Sequence, residues 1–242
     1  MKRWILLLCC ILLAFSVTGC TGENSSSDSS SEPSSSQAQL QEDPVDPETA
    51  AALELVAESN CEVPDFLTEE QQTLYRKAYT AYKQFALYTD GFGSTEWSPV
   101  TVEEYDNSFC VGNGSITTWK DYETAMLGLF TPDYLEELNL TVTELEDGTT
   151  LRYAHFADYQ GQLAFSDGAR GSNITYLGPD TFELISQTED EIRFYVIGTY
   201  QDYVENEAGE LVQEGEITQR KYEIVLTHTE NGWRFSQFAL TI

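Results

Sequence analysis

The stretch Glu191-Ile192-Arg193-Phe194-Tyr195-Val196-Ile197-Gly198-Thr199-Tyr200 decides the fold. Ile192, Phe194, Val196, Gly198 and Tyr200 fall on every second position. Successive side chains of a strand point to opposite faces, so this spacing predicts a strand with one buried face. Downstream, Ile217 to His228 carries Tyr222, Ile224, Leu226 and His228 at the same period, and Trp233 to Leu240 carries Trp233, Phe235, Gln237 and Ala239. Glu230-Asn231-Gly232 supplies the Asn-Gly pair of a tight hairpin between these two strands, and Thr188-Glu189-Asp190-Glu191 supplies the turn before the first. Upstream, Leu151–Phe156, Gln162–Phe165, Ile174–Leu177 and Thr181–Gln187 read as shorter strands.

Before Leu140 the apolar period changes from two to three and four. Thr68-Glu69-Glu70-Gln71 has the form of a capping box, in which Thr68 and Gln71 each satisfy a backbone N–H of the other. It opens a helix to about Tyr88 whose apolar stripe is Leu74, Ala78, Ala81, Tyr82 and Phe85. The stop is Asp90-Gly91-Phe92-Gly93. Thr118-Trp119-Lys120-Asp121 starts a second helix, with Trp119, Tyr122, Met126, Leu129 and Phe130 on its buried face. Thr131-Pro132 breaks that helix and begins a third, because proline cannot donate within a helix but suits its first turn. Trp97 to Gly112 reads as extended. Helices first and consecutive hairpins after them define an α+β class, with N-terminal helices packed on a curved antiparallel sheet.

The first 60 residues are of another kind. Lys2 and Arg3 precede an apolar run from Trp4 to Val17, and small residues Thr18 and Gly19 lead into Cys20. Positive flank, short apolar core and small-residue exit are the marks of an export signal over residues 1–19. Val17-Thr18-Gly19-Cys20 resembles the bacterial lipobox, which implies cleavage after Gly19 and acylation of Cys20. A lipid there would hold the protein at the extracytoplasmic face of the cell membrane. Residues 20–60, rich in serine and acid, lack aromatic and basic side chains and read as a tether spanning roughly 35 Å, with Ala50 to Ala57 able to form a short helix at its end without anything demanding it. Residues 61–242 are then expected to form one globular domain.

Charge narrows the partners. The chain has 41 Asp plus Glu against 12 Lys plus Arg, a formal net charge of −29. Such a surface repels nucleic acid and favours cationic partners, although solubility alone also accounts for it. Outside the leader only Cys61 and Cys110 accompany Cys20, and export permits a disulfide between them without requiring one. No metal or cofactor is expected, since two cysteines without a histidine cluster make a poor metal site.

No nucleophile elbow, phosphate loop or zinc-protease motif is present. The two histidines, His155 and His228, fall mid-strand in this reading, and the acids occur where solvated faces are expected. No catalytic residue is therefore assigned. The stretch Asp167-Gly168-Ala169-Arg170-Gly171-Ser172-Asn173 stands out, with glycines flanking one of few cations. Gly168, Arg170, Gly171 and Asn173 are the candidate binding residues, since paired glycines permit positive φ and a sharp turn that presents Arg170.

Several segments resemble the DL-endopeptidase inhibitor family of Gram-positive bacteria. These are Leu74-Tyr75-x-x-Ala78-Tyr79, Leu129-Phe130-Thr131-Pro132, Gly161-Gln162-Leu163, the 168–173 stretch, and Asn231-Gly232-Trp233-Arg234-Phe235-Ser236-Gln237-Phe238. The last is also similar to the ends of cystatin-like and NTF2-like α+β domains. The resemblance implies a non-catalytic protein that binds cell-wall hydrolases of the NlpC/P60 type and restrains peptidoglycan cleavage. The NTF2-like alternative implies a pocket for a small ligand or wall glycan, or a carboxylate-dependent enzyme.

Overall fold

A computed structural model describes residues 46–166, 168–169 and 171–242. Cys20 and Arg170 lie outside the described residues. In chain order the elements are α1 (Pro47–Leu53), α2 (Glu69–Ala86), β1 (Tyr88–Thr89), β2 (Trp97–Val100), β3 (Phe109–Gly112), α3 (Trp119–Leu129) and α4 (Pro132–Asn139). Then come β4 (Leu140–Glu144), β5 (Thr150–Ala154), β6 (Phe156–Tyr159), β7 (Gln162–Ser166), β8 (Gly168–Ala169) and β9 (Thr181–Gln187). The chain ends with β10 (Glu191–Gln201), β11 (Val204–Glu205), β12 (Leu211–Val212), β13 (Ile217–Thr229) and β14 (Gly232–Gln237). The class is α+β, with helices packed on antiparallel sheet.

The strands form two principal sheets rather than one. The larger runs β14-β13-β10-β9 and the other β2-β3-β7-β6, every pairing antiparallel. Their buried faces contribute to one aromatic core around α2 and α3. Phe194, fully buried, meets Phe66 edge-on at 5.4 Å, and Tyr75 of α2 meets Phe182 edge-on at 5.9 Å. Tyr122 of α3 lies 4.7 Å from Phe156 of β6. Such offset and edge contacts suit the ring quadrupole and add to the area buried.

The local signals are realised. Thr68 and Gln71 form both bonds of the capping box at the start of α2. The Thr118 hydroxyl accepts from Asp121 N–H at the start of α3, and Pro132 opens α4. Gly91 has φ +59° in the turn after α2, and a Cβ there would stand 2.4 Å from the Phe165 ring. Only glycine fits that turn.

Other expectations are corrected. Residues 46–60 are not tether but part of the body: Asp46 caps α1 through bonds from Glu48 and Thr49 N–H, and Ala52 and Val56 are buried. The buried Lys77 ammonium donates to the Leu53 and Val56 carbonyls at 2.9 and 3.1 Å, binding the end of α1 to α2. Of the expected strand at 174–177, Ile174 and Thr175 form a turn, helped by the Asn173 side chain, and Tyr176 makes an isolated antiparallel bridge to Tyr200. In β14 the register shifts, with Val225 opposite Gln237 and Leu226 opposite Phe235, leaving Ser236 as an extra residue. The bulge turns Phe238 inward and Gln237 outward.

Candidate functional site

The Gly168–Asn173 stretch is built differently from expectation. Gly168 pairs with Thr89 and Ala169 with Tyr88, joining β8 to β1 in a two-residue ladder. Neither Gly168 nor Gly171 has positive φ, and among the described residues a Cβ on either would meet nothing within 4 Å. Backbone freedom is therefore not why glycine stands at these positions. The Asn173 carboxamide oxygen accepts from the Thr175 N–H and hydroxyl at 3.1 and 2.8 Å, so its side chain closes a turn.

Two cavities flank this ladder. One of about 280 Å³ is lined by Tyr88, Asp90, Trp97, Cys110 and Gly168 among others. The second, about 220 Å³, is lined by Phe85, Thr89, His155, Ser166 and Gly168 among others. His155 lies at the break between β5 and β6, not within a strand. Its Nδ1 is 3.5 Å from the Thr89 hydroxyl and its ring meets Phe85 edge-on at 5.8 Å. His228 packs against Trp233 at 4.9 Å between ring centres.

No disulfide joins Cys61 and Cys110. Cys110 sits in β3 opposite Phe165, whereas Cys61 lies in the segment leading into α2, where burial pushes its thiol pKa up. Among the described residues, no three His, Cys, Asp or Glu side chains gather where a metal would sit. No described helix is long and apolar enough to cross a membrane.

A buried carboxyl was not singled out by sequence. Asp180 Oδ1 accepts from the Tyr176 hydroxyl at 2.8 Å and from the Thr241 hydroxyl at 2.6 Å. Burial raises its pKa, the two hydrogen bonds oppose that rise, and Glu62 adds to it. Burial and the bond to Asp180 push Tyr176 up to about 12. The Tyr200 hydroxyl donates to the Thr241 carbonyl at 2.5 Å. Gly198 makes room: a Cβ there would stand 2.8 Å from Thr241 Cβ. Neither of the two cavities is lined by Asp180. Its partners are the penultimate residue and a turn, so this carboxyl fastens the C-terminal segment to the sheet. An isolated Asp before Thr181 carries no sequence signal of such burial.

Charge is distributed unevenly. Arg76, Lys77, Lys120, Arg152, Arg193 and Lys221 each face an acid of the same chain. Lys83 lies over Tyr79 at 5.0 Å and Arg220 over Tyr200 at 4.6 Å. Arg234, buried and with its pKa lowered by desolvation, donates to the Leu127 and Trp233 carbonyls, both at 2.7 Å. These cations are committed internally, and most acids face solvent.

No protein-family model matches the chain, and no curated protein matches it.

Proposed function

We propose that this chain is an exported binding protein, held at the outer face of a membrane by lipid on Cys20, whose body engages a cationic protein. The observation that carries this reading is the excess of acids, 41 Asp plus Glu against 12 Lys plus Arg, with described cations such as Lys77, Arg193 and Arg234 engaged by groups of the same chain. Such a field accelerates encounter with a basic partner and repels nucleic acid. Within this reading, the partner class favoured by the sequence resemblance is a cell-wall DL-endopeptidase of the NlpC/P60 type, and the consequence of binding is inhibition.

The test is peptidoglycan digestion by such a hydrolase with increasing full-length chain. Digestion slows in proportion to the complex formed. Unchanged digestion, with no hydrolase retained from wall extracts, would overturn the inhibitor reading.

A pocket domain for a small ligand, or a carboxylate-dependent enzyme, has Asp180 in its favour, since burial raises that carboxyl among tyrosines. Against it, Asp180 lines neither of the cavities described above, and its Oδ1 already accepts from Thr241 and Tyr176.

A further inference from the structure

We infer that the far end of the β10–β13 ribbon, with the segment at 174–177, is the surface on which a cationic protein docks. This inference rests on the binding-protein reading above and gives it a place. Between Gln201 and Ile217 the ribbon carries a small hairpin of β11 and β12, with Val204 opposite Val212 and Glu205 opposite Leu211. Its apolar side chains do not fold back onto the core: Leu211 is 73% exposed and Ile217 60%, with Tyr203 and Val204 exposed as well. Ile174, in the neighbouring turn, is 74% exposed. Large apolar side chains grouped in solvent mark an interaction surface.

The group is held together by hydrogen bonds, most of them made by the side-chain amides of Gln213 and Asn206. The Gln213 amide donates to the Thr175 and Gln201 carbonyls, and Gln201 N–H donates to Thr175 O at 2.8 Å. At the hairpin tip the Asn206 carboxamide oxygen accepts from Ala208 and Glu210 N–H, both at 2.9 Å, and Gly209 takes φ +77°. A two-stranded hairpin is marginal by itself, so these bonds hold it in one shape before any partner arrives.

Charge selects the occupant. Asp202, Glu205, Glu207, Glu210, Glu214 and Glu216 lie in the same segment as Leu211 and Ile217, with Glu205 opposite Leu211, and no Lys or Arg occurs in sequence between Arg193 and Arg220. Arg220, at the base, is turned onto the ring of Tyr200. Two copies of this end would repel each other, as would nucleic acid or an anionic bilayer. The fitting partner is a protein face with an apolar crevice rimmed by Lys or Arg, taking Leu211 and Ile217 as anchors.

The experiment titrates the full chain into a fluorescent peptide of alternating Lys and Leu, with a Glu/Leu peptide as control. The double variant Leu211→Ser/Ile217→Ser is expected to bind the Lys/Leu peptide about tenfold more weakly, at an unchanged urea midpoint. Gln at Glu205, Glu207, Glu210, Glu214 and Glu216 is expected to flatten the salt dependence of binding. If both variants bind like the parent, docking lies elsewhere and this surface is overturned, while the cationic-partner reading stands. If the parent binds both peptides equally, the reading and the surface fall together.

Discussion

The two ends of the β10–β13 ribbon share one pairing ladder and meet opposite fates. Near Glu191, Ile192, Phe194 and Val196 are buried opposite Leu226, Ile224 and Tyr222, under the aromatic side chains of α2. Near Gln201, Tyr200 is still buried, but Ile217 opposite Gln201 and the hairpin beyond it leave their apolar side chains in water among carboxylates. Alternation makes a strand at both ends, but an apolar side chain becomes core only where another segment covers it, as α2 covers Phe194 and the 241–242 segment covers Tyr200. The first end supplies stability and the second is available for recognition.

Substitutions can break this contrast. The largest effect belongs to Phe194→Ala, which empties a fully buried site between Phe66, Tyr75 and Phe182 and should cost about 3–5 kcal/mol in urea unfolding. Lys77→Ala comes next, at about 1–3 kcal/mol, because the Leu53 and Val56 carbonyls lose their donor. Amide exchange should then speed up across α1 before it does elsewhere.

Asp180→Asn is smaller and of opposite sign. Burial raises the folded-state pKa above the ordinary 3.8, so the folded parent holds that proton more tightly than the unfolded chain does. Stability from this group is complete below 3.8 and is lost as pH rises through the raised value. Asparagine keeps an acceptor for Tyr176 and Thr241 without a charge to desolvate. The variant should melt higher than the parent at pH 7, and the gap should close below 3.8. The smallest effect is that of Leu211→Ser/Ile217→Ser on stability, within about 0.5 kcal/mol, since neither residue touches the core.

What could be read from sequence follows the range of the interaction. The capping box at Thr68 and the Asn231-Gly232 turn are settled within four residues and are present, whereas at Thr118 only the N-cap half of the expected box forms. The alternation of β10 was equally plain. Helix α1 is fixed by Lys77, 24 residues from Leu53, whereas the surrounding composition reads as tether. The division into two sheets, the Ser236 bulge and the absence of a Cys61–Cys110 bridge depend on contacts between distant segments. At the candidate site, the 168–173 glycines were visible but not the β1–β8 pairing that explains their place. The acids of the hairpin were read as a solvated loop. That reading saw their charge but not the exposed Leu211, Ile217 and Ile174 among them.

The most direct test is amide hydrogen exchange of the full chain with and without a saturating Lys/Leu peptide. Slowing confined to residues 174–177 and 203–217, with Ile192–Ile197 unchanged, is the predicted footprint. Protection that instead gathers around Gly168 and the β1–β8 ladder, leaving the hairpin untouched, would contradict it.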